Sequence, residues 1–172
     1  QEAGLPKGVL NIVHGLGTTV GNAIVAHPKI KAISFTGGTK TGAHIASIAA
    51  PMFKKLSLEL GGKNPNIIFA DCDYDKMLAT TVRSSFSNQG QICLCGSRIL
   101  VEEKIYDKFK KDFIQKVAQL KVGNPSEEST KIGALVSFAH LEKVKGYIDN
   151  APKDGGKVLF GGNKVVVTGS EN

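Results

Sequence analysis

No apolar run in this 172-residue sequence approaches the roughly 20 residues a membrane-crossing helix needs. No basic segment followed by an apolar stretch and a small-residue cleavage site opens the chain, so no secretory leader is expected. Cysteine is scarce: Cys72, Cys93 and Cys95 are an odd and sparse set for a disulfide scaffold. The pair in Cys-Leu-Cys lacks the second ligand pair of a structural zinc site, and the nearest histidines are distant, so no metal is expected. Reduced thiols and a cytoplasmic setting are the corresponding expectation. Repeats and low-complexity tracts are also missing.

Acidic residues are absent between Ala3 and Leu58, where Lys7, Lys29, Lys31, Lys40, Lys54 and Lys55 lie. The net charge of +7 invites a nucleic-acid partner. Its distribution argues otherwise, because the later lysines alternate with acids along a helix, as on a solvated face. No interleaving of aromatic and basic residues resembles an RNA platform. A glycine-rich segment in positive surroundings suits a small phosphorylated ligand instead.

The length fits one domain or parts of two, and the hydropathy pattern fills it with alternating elements. Val9–Val13 reads as a strand, 18–27 as a helix closed by Pro28, and Lys31–Phe35 as the next strand. Thr39–Ala50 reads as a helix ended by Pro51, and Leu56–Leu60 as a third strand. That succession predicts a parallel α/β arrangement. After Lys63 the pattern resumes with a strand at Asn66–Ala70 and a helix over 74–87 that Asp71 and Asp73 are placed to cap. A strand at Ile99–Glu102 follows, then an amphipathic helix over 105–120, a helix over 137–150 and a short strand at 158–160. The boundary between the two halves falls near Gly61-Gly62.

Two glycine clusters sit at strand-to-helix turns. Gly15-Leu16-Gly17-Thr18-Thr19-Val20-Gly21 is one residue too long for the ordinary dinucleotide fingerprint, and the acidic residue expected about 20 positions later is missing. Structural glycines in a tight turn are the default there. Thr36-Gly37-Gly38-Thr39-Lys40-Thr41-Gly42 follows a strand and opens a helix, so its backbone N–H groups suit a phosphate.

Two reactive groups stand out. Phe86-Ser87-Asn88-Gln89-Gly90-Gln91-Ile92-Cys93-Leu94-Cys95-Gly96-Ser97 brings two thiols out of a polar helix just before an apolar strand. Glu59, in Leu58-Glu59-Leu60-Gly61-Gly62-Lys63, is an isolated carboxylate that its flanking leucines would partly desolvate. A thiol and such a carboxylate suit covalent catalysis assisted by a general base. Each also has an ordinary reading: a cysteine among apolar neighbours is often a small buried hydrophobe, and a lone Glu in a strand often faces solvent. Composition does not rank Cys93 against Cys95.

The segments LELGGKNP (58–65) and FSNQGQICLCGS (86–97) resemble signature segments of the NAD(P)-dependent aldehyde dehydrogenases, at that family's usual separation. FTGGTKTG (35–42), PKGVLNIVHGLG (6–17) and KVGNPSEES (121–129) extend the resemblance over essentially the whole chain, in order. The resemblance implies parts of two α/β domains: residues 1–61 closing a Rossmann-like NAD-binding domain, and 62–172 opening a catalytic domain. It implies Cys93 as nucleophile and Glu59 as the base that activates water. It further implies NAD contacts at Gly17, Thr36, Gly37, Gly38, Thr39, Leu60 and Gly61. Many relatives carry Ser where this chain has Gly38, so one hydroxyl contact is lost there. Cys95 becomes a packing or substrate-wall residue. Arg83 is expected in a surface or interdomain ion pair, with an acidic substrate as the alternative.

KKLSLELGGKNPNIIF (54–69) and VRSSFSNQGQICLCGSR (82–98) resemble the branch of the family acting on 2-aminomuconic and hydroxymuconic semialdehydes. That implies a carboxylate-bearing aldehyde as substrate, and a homo-oligomer, dimer or tetramer, for the full-length protein. The chain by itself is then an inactive internal piece. A non-catalytic binding or structural module keeping the same fold is the competing expectation.

Overall fold

A computed structural model describes residues 2–169, so Gln1 and positions 170–172 of the expected second domain lie outside the described residues. The chain divides into two compact α/β units, Gln1–Gly62 and Lys63–Asn172.

The first unit is built on β1 (Ala32–Gly37), α2 (Thr39–Ala49) and β2 (Lys55–Leu60), with α1 (Asn22–Ala26) before them. β1 and β2 pair in parallel, Thr36 opposite Glu59 and Gly37 opposite Leu60. Alternation along each strand puts Ile33, Phe35, Leu56 and Leu58 on one face. There they pack on Val25 of α1 and on Ile45 and Ala49 of α2. The other face carries Ser34, Thr36, Ser57 and Glu59 and is exposed. α1 is too short to satisfy its own last carbonyls, and the buried Lys54 ammonium donates to Val25 O and, at 2.7 Å, to His27 O.

The second unit repeats the plan. β3 (Asn64–Ile68) and β4 (Gly96–Val101) pair in parallel, joined through α3 (Tyr74–Phe86), and α4 (Glu103–Ala118) and α5 (Phe138–Asn150) follow. Ile68, Leu78 and Phe109 form its core, with Cys72, Met77, Ile99 and Phe113 packed around them. Asp73 caps α3 by accepting from the Lys76 N–H at 3.3 Å. α3 is stapled to α4 where the Tyr74 hydroxyl donates to Asp112 at 2.8 Å, beside Lys108 at the same distance. The Lys108 ammonium, and after it the Tyr74 hydroxyl, hold the Asp112 carboxyl below its ordinary value.

Four expectations are corrected. Val9–Val13 is not a strand, and its apolar side chains are exposed because no strand among the described residues offers them a ladder. The segment at 158–160 is not a strand either, and Val158, Leu159 and Phe160 line an open apolar cavity beside α4 and α5. The helix over 18–27 is a π-helical turn, Gly17–Gly21, running into the short α1, with Gly21 N–H bonded to Leu16 O at 3.3 Å. β3 begins at Asn64, two residues before the apolar run that predicts it, because Asn64 pairs with Gly96.

Candidate functional site

In the first unit, seven of the expected residues gather at the carboxyl ends of β1 and β2, where ligands of open α/β sheets bind. Thr36 and Glu59 are paired neighbours on the exposed face, about 5 Å apart by the spacing of adjacent strands. Gly37 and Leu60 are paired one step further on, and the Gly61 N–H donates to Gly37 O at 3.2 Å. Gly38 is the N-cap of α2 but has no side chain to cap it. The first α-helical bond is Gly42 N–H to Gly38 O, so the N–H groups of Thr39, Lys40 and Thr41 lie ahead of the ladder.

A Cβ at Gly37 would lie 2.5 Å from the Phe35 ring, and one at Gly42 would lie 2.6 Å from Leu60. A Cβ at Gly38 would meet nothing within 4 Å, which leaves the helix mouth open. The N–H groups, the threonine hydroxyls and this clearance fit a phosphate group. Gly17 stands apart from the cluster, opening the π-helical turn with nothing within 4 Å of a Cβ. Glu59 is exposed, and its side chain makes no hydrogen bond or ion pair among the described residues. The desolvation expected from its flanking leucines is not found: Leu58 turns into the core on the other face, and Leu60 lies over Gly42.

In the second unit, the thiols are separated by their environment. α3 ends at Phe86 and runs into a tight turn, Ser87–Gly90, in which Asn88 (φ 49°), Gln89 (φ 56°) and Gly90 (φ 73°) are all left-handed. Two non-glycine residues held there cost on the order of 1–3 kcal/mol each, a cost typical of functional turns. The strain is held from outside the turn: Gln89 Nε2 donates to Ala134 O at 3.4 Å, and Gln91 meets the His140 ring at 3.1 Å. Gly90 admits no side chain, since its φ is left-handed and a Cβ would lie 2.9 Å from Ser85 O. Gly90→Ala is expected to destabilise the protein by roughly 1–3 kcal/mol, read as a lower denaturation midpoint at unchanged slope.

Past this turn, Ile92–Cys95 forms a β-turn closed by the Cys95 N–H to Ile92 O at 3.0 Å. Cys93 is exposed at its tip, between the exposed side chains of Ile92 and Leu94. Cys95 is 4% exposed, with Sγ directed at Ser87 O at 3.9 Å, and Cys72 is half-buried against the core. Cys93 is the one cysteine of the three in the exposed class. Arg83 lies exposed on α3, and among the described residues it forms no ion pair.

Asn64 escaped the reading from sequence. Its Nδ2 donates to Cys93 O at 2.6 Å and to Cys95 O at 3.2 Å. The signal was Pro65, which has no N–H for a ladder bond. The register there jumps from Asn64–Gly96 to Pro65–Arg98, leaving Ser97 as the extra residue of a β-bulge. Ser84 and Ser85 hold the start of β4 to the end of α3, through Gly96 N–H and Gly96 O, both at 3.0 Å.

Among the described residues no helix is long and apolar enough to cross a membrane, and no group of three or more His, Cys, Asp or Glu could hold a metal ion.

Comparison with known proteins gives these features a lineage. The sequence pattern of the aldehyde dehydrogenase family matches residues 1–172. The 2-aminomuconic semialdehyde dehydrogenase of Bos taurus is 53% identical over 161 residues, and the 2-aminomuconic 6-semialdehyde dehydrogenase of a Pseudomonas species is 45% identical over 163. Each comparison covers 94% of this chain and 33% of the relative, so the chain spans about a third of the length of the curated relatives it matches. The crystal structure of betaine aldehyde dehydrogenase from Staphylococcus aureus, in complex with NAD+, superposes with a TM-score of 0.91 at 39% identity. That match covers 96% of this chain and 33% of the other. The α/β architecture is shared with these structures, and the chain belongs to the aldehyde dehydrogenase family.

Proposed function

We propose that this chain supplies the nucleophile, the water-activating base and a cofactor phosphate turn of an NAD-dependent aldehyde dehydrogenase. In this reading residues 1–61 close the NAD-binding domain and 62–172 open the catalytic domain. Activity belongs to the full-length protein. The observation that carries the reading is Cys93, exposed at the tip of a held turn while Cys95 is buried and Cys72 half-buried.

Cys93, as thiolate, adds to the aldehyde carbon, forming a C–S bond and leaving the former carbonyl oxygen as an oxyanion. The Cys93 backbone N–H makes no hydrogen bond among the described residues and is a donor for that oxygen. NAD, when bound, supplies the acceptor for the hydride lost from the aldehyde carbon. Gly37, Gly38 and Thr39 would hold its phosphates, Thr36, Leu60 and Gly61 would lie beside its nicotinamide, and Gly17 would come near its adenosine half. The adduct on Cys93 becomes a thioester. Glu59 then takes a proton from water, whose oxygen attacks the thioester carbon, releasing the acid and returning Cys93.

The substrate is a carboxylate-bearing semialdehyde of the 2-aminomuconic type, on the strength of the named relatives. The test compares kcat/KM of the full-length protein for such a semialdehyde and for a neutral aldehyde of equal chain length. A preference of about 10-fold or more for the charged substrate, equivalent to ~1.4 kcal/mol, is expected with NAD. Equal or reversed preference would remove the substrate assignment, and no NADH formation with any aldehyde would remove the activity.

A further inference from the structure

We infer that Asn64 is a positioning residue for Cys93, fixing the peptide plane that follows the nucleophile and with it the nucleophile's orientation. The inference deepens the proposed function and rests on Cys93 being the nucleophile.

Cys93 lies between two peptide planes, and both are held. The plane before it, Ile92–Cys93, is fixed by Ile92 O, which accepts from the Cys95 N–H at 3.0 Å inside the turn. In a trans peptide the N–H points opposite to the carbonyl, so the Cys93 N–H is turned away from the turn's own hydrogen bond. The plane after it, Cys93–Leu94, has no turn bond of its own. Its carbonyl is held at 2.6 Å by Asn64 Nδ2, whose second hydrogen goes to Cys95 O at 3.2 Å. One amide nitrogen thus uses both its hydrogens to bridge the two carbonyls that bracket Leu94.

The reach of Asn64 is built into the strand. Pro65 breaks the β3–β4 ladder, the bulge at Ser97 shifts the register, and the half-buried Asn64 side chain meets the turn rather than a strand neighbour. Ser97 Oγ also donates to Cys95 O at 3.3 Å, so Cys95 O has a second holder while Cys93 O has Asn64 alone among side chains of the described residues. Without it the Cys93–Leu94 plane is free to rotate. A misplacement near 1 Å at a reacting group costs up to about 100-fold in rate.

Asparagine and aspartate have the same shape, but a carboxylate offers no donor and repels the carbonyls. In the full-length protein, Asn64→Asp is expected to lower kcat by about 10- to 100-fold, with KM for NAD within about twofold of wild type. Asn64→Ser, with one donor for two carbonyls, is expected to fall between wild type and Asn64→Ala. It carries the test if the aspartate variant does not fold. A kcat within about twofold of wild type in Asn64→Asp, or in Asn64→Ser should the aspartate variant be lost, overturns the inference. So does a parallel loss of NAD affinity, which marks general collapse. Cys93→Ser assayed alongside separates the two levels. If it is active, the nucleophile assignment fails. If it is inactive while the Asn64 variants are unimpaired, only the role of Asn64 fails.

Discussion

Replacing Cys93 by Ser is expected to lower aldehyde-dependent NADH formation in the full-length protein by about 10³-fold or more. The size follows from acidity and surroundings. A free cysteine is a few per cent thiolate near neutral pH, whereas a serine hydroxyl is essentially never ionised and needs an adjacent base. Among the described residues no side chain hydrogen-bonds the Cys93 sulfur. Cys95→Ser is the matched control. Its sulfur is buried against Ser87 O, and its loss is expected to leave kcat within a few-fold of wild type.

Glu59→Gln is expected to lower steady-state kcat by about 10²- to 10⁴-fold while sparing the first turnover. The amide keeps the size of the carboxylate but accepts no proton from water, so hydrolysis of the thioester is the step that fails. Folding should be unaffected, because Glu59 is exposed and its side chain makes no bond among the described residues. The kinetic signature is a burst of NADH near one equivalent per active site, followed by a slow phase. An equal loss in burst and steady state would mean that Glu59 acts before the thioester forms.

The local elements that carry the proposed site residues were legible in sequence, while the contacts that hold them were not. Gly38, Thr39 and the exposed face of Glu59 follow from a strand–turn–helix pattern and a period of two, which local chemistry dictates. β1, α2 and β2 were legible because Pro51 and the glycines punctuate them. Val9–Val13 and 158–160 have the composition of strands but find no partner strand among the described residues, and a strand exists only through its ladder. The left-handed Asn88 and Gln89 are maintained by Ala134 and His140, more than 40 residues away, which no local pattern encodes. The Asn64 clamp is likewise a contact across 29 positions. Resemblance pointed to Cys93 rather than Cys95 as the nucleophile, and the fold adds that the two differ in exposure.

The most direct test of the account is the mass of the full-length Glu59→Gln protein after mixing with NAD and a semialdehyde, followed by peptide mapping. The account predicts one acyl group per chain, carried by Cys93. An acyl group on Cys95 or Cys72, or NADH released with no acylated cysteine, would contradict it.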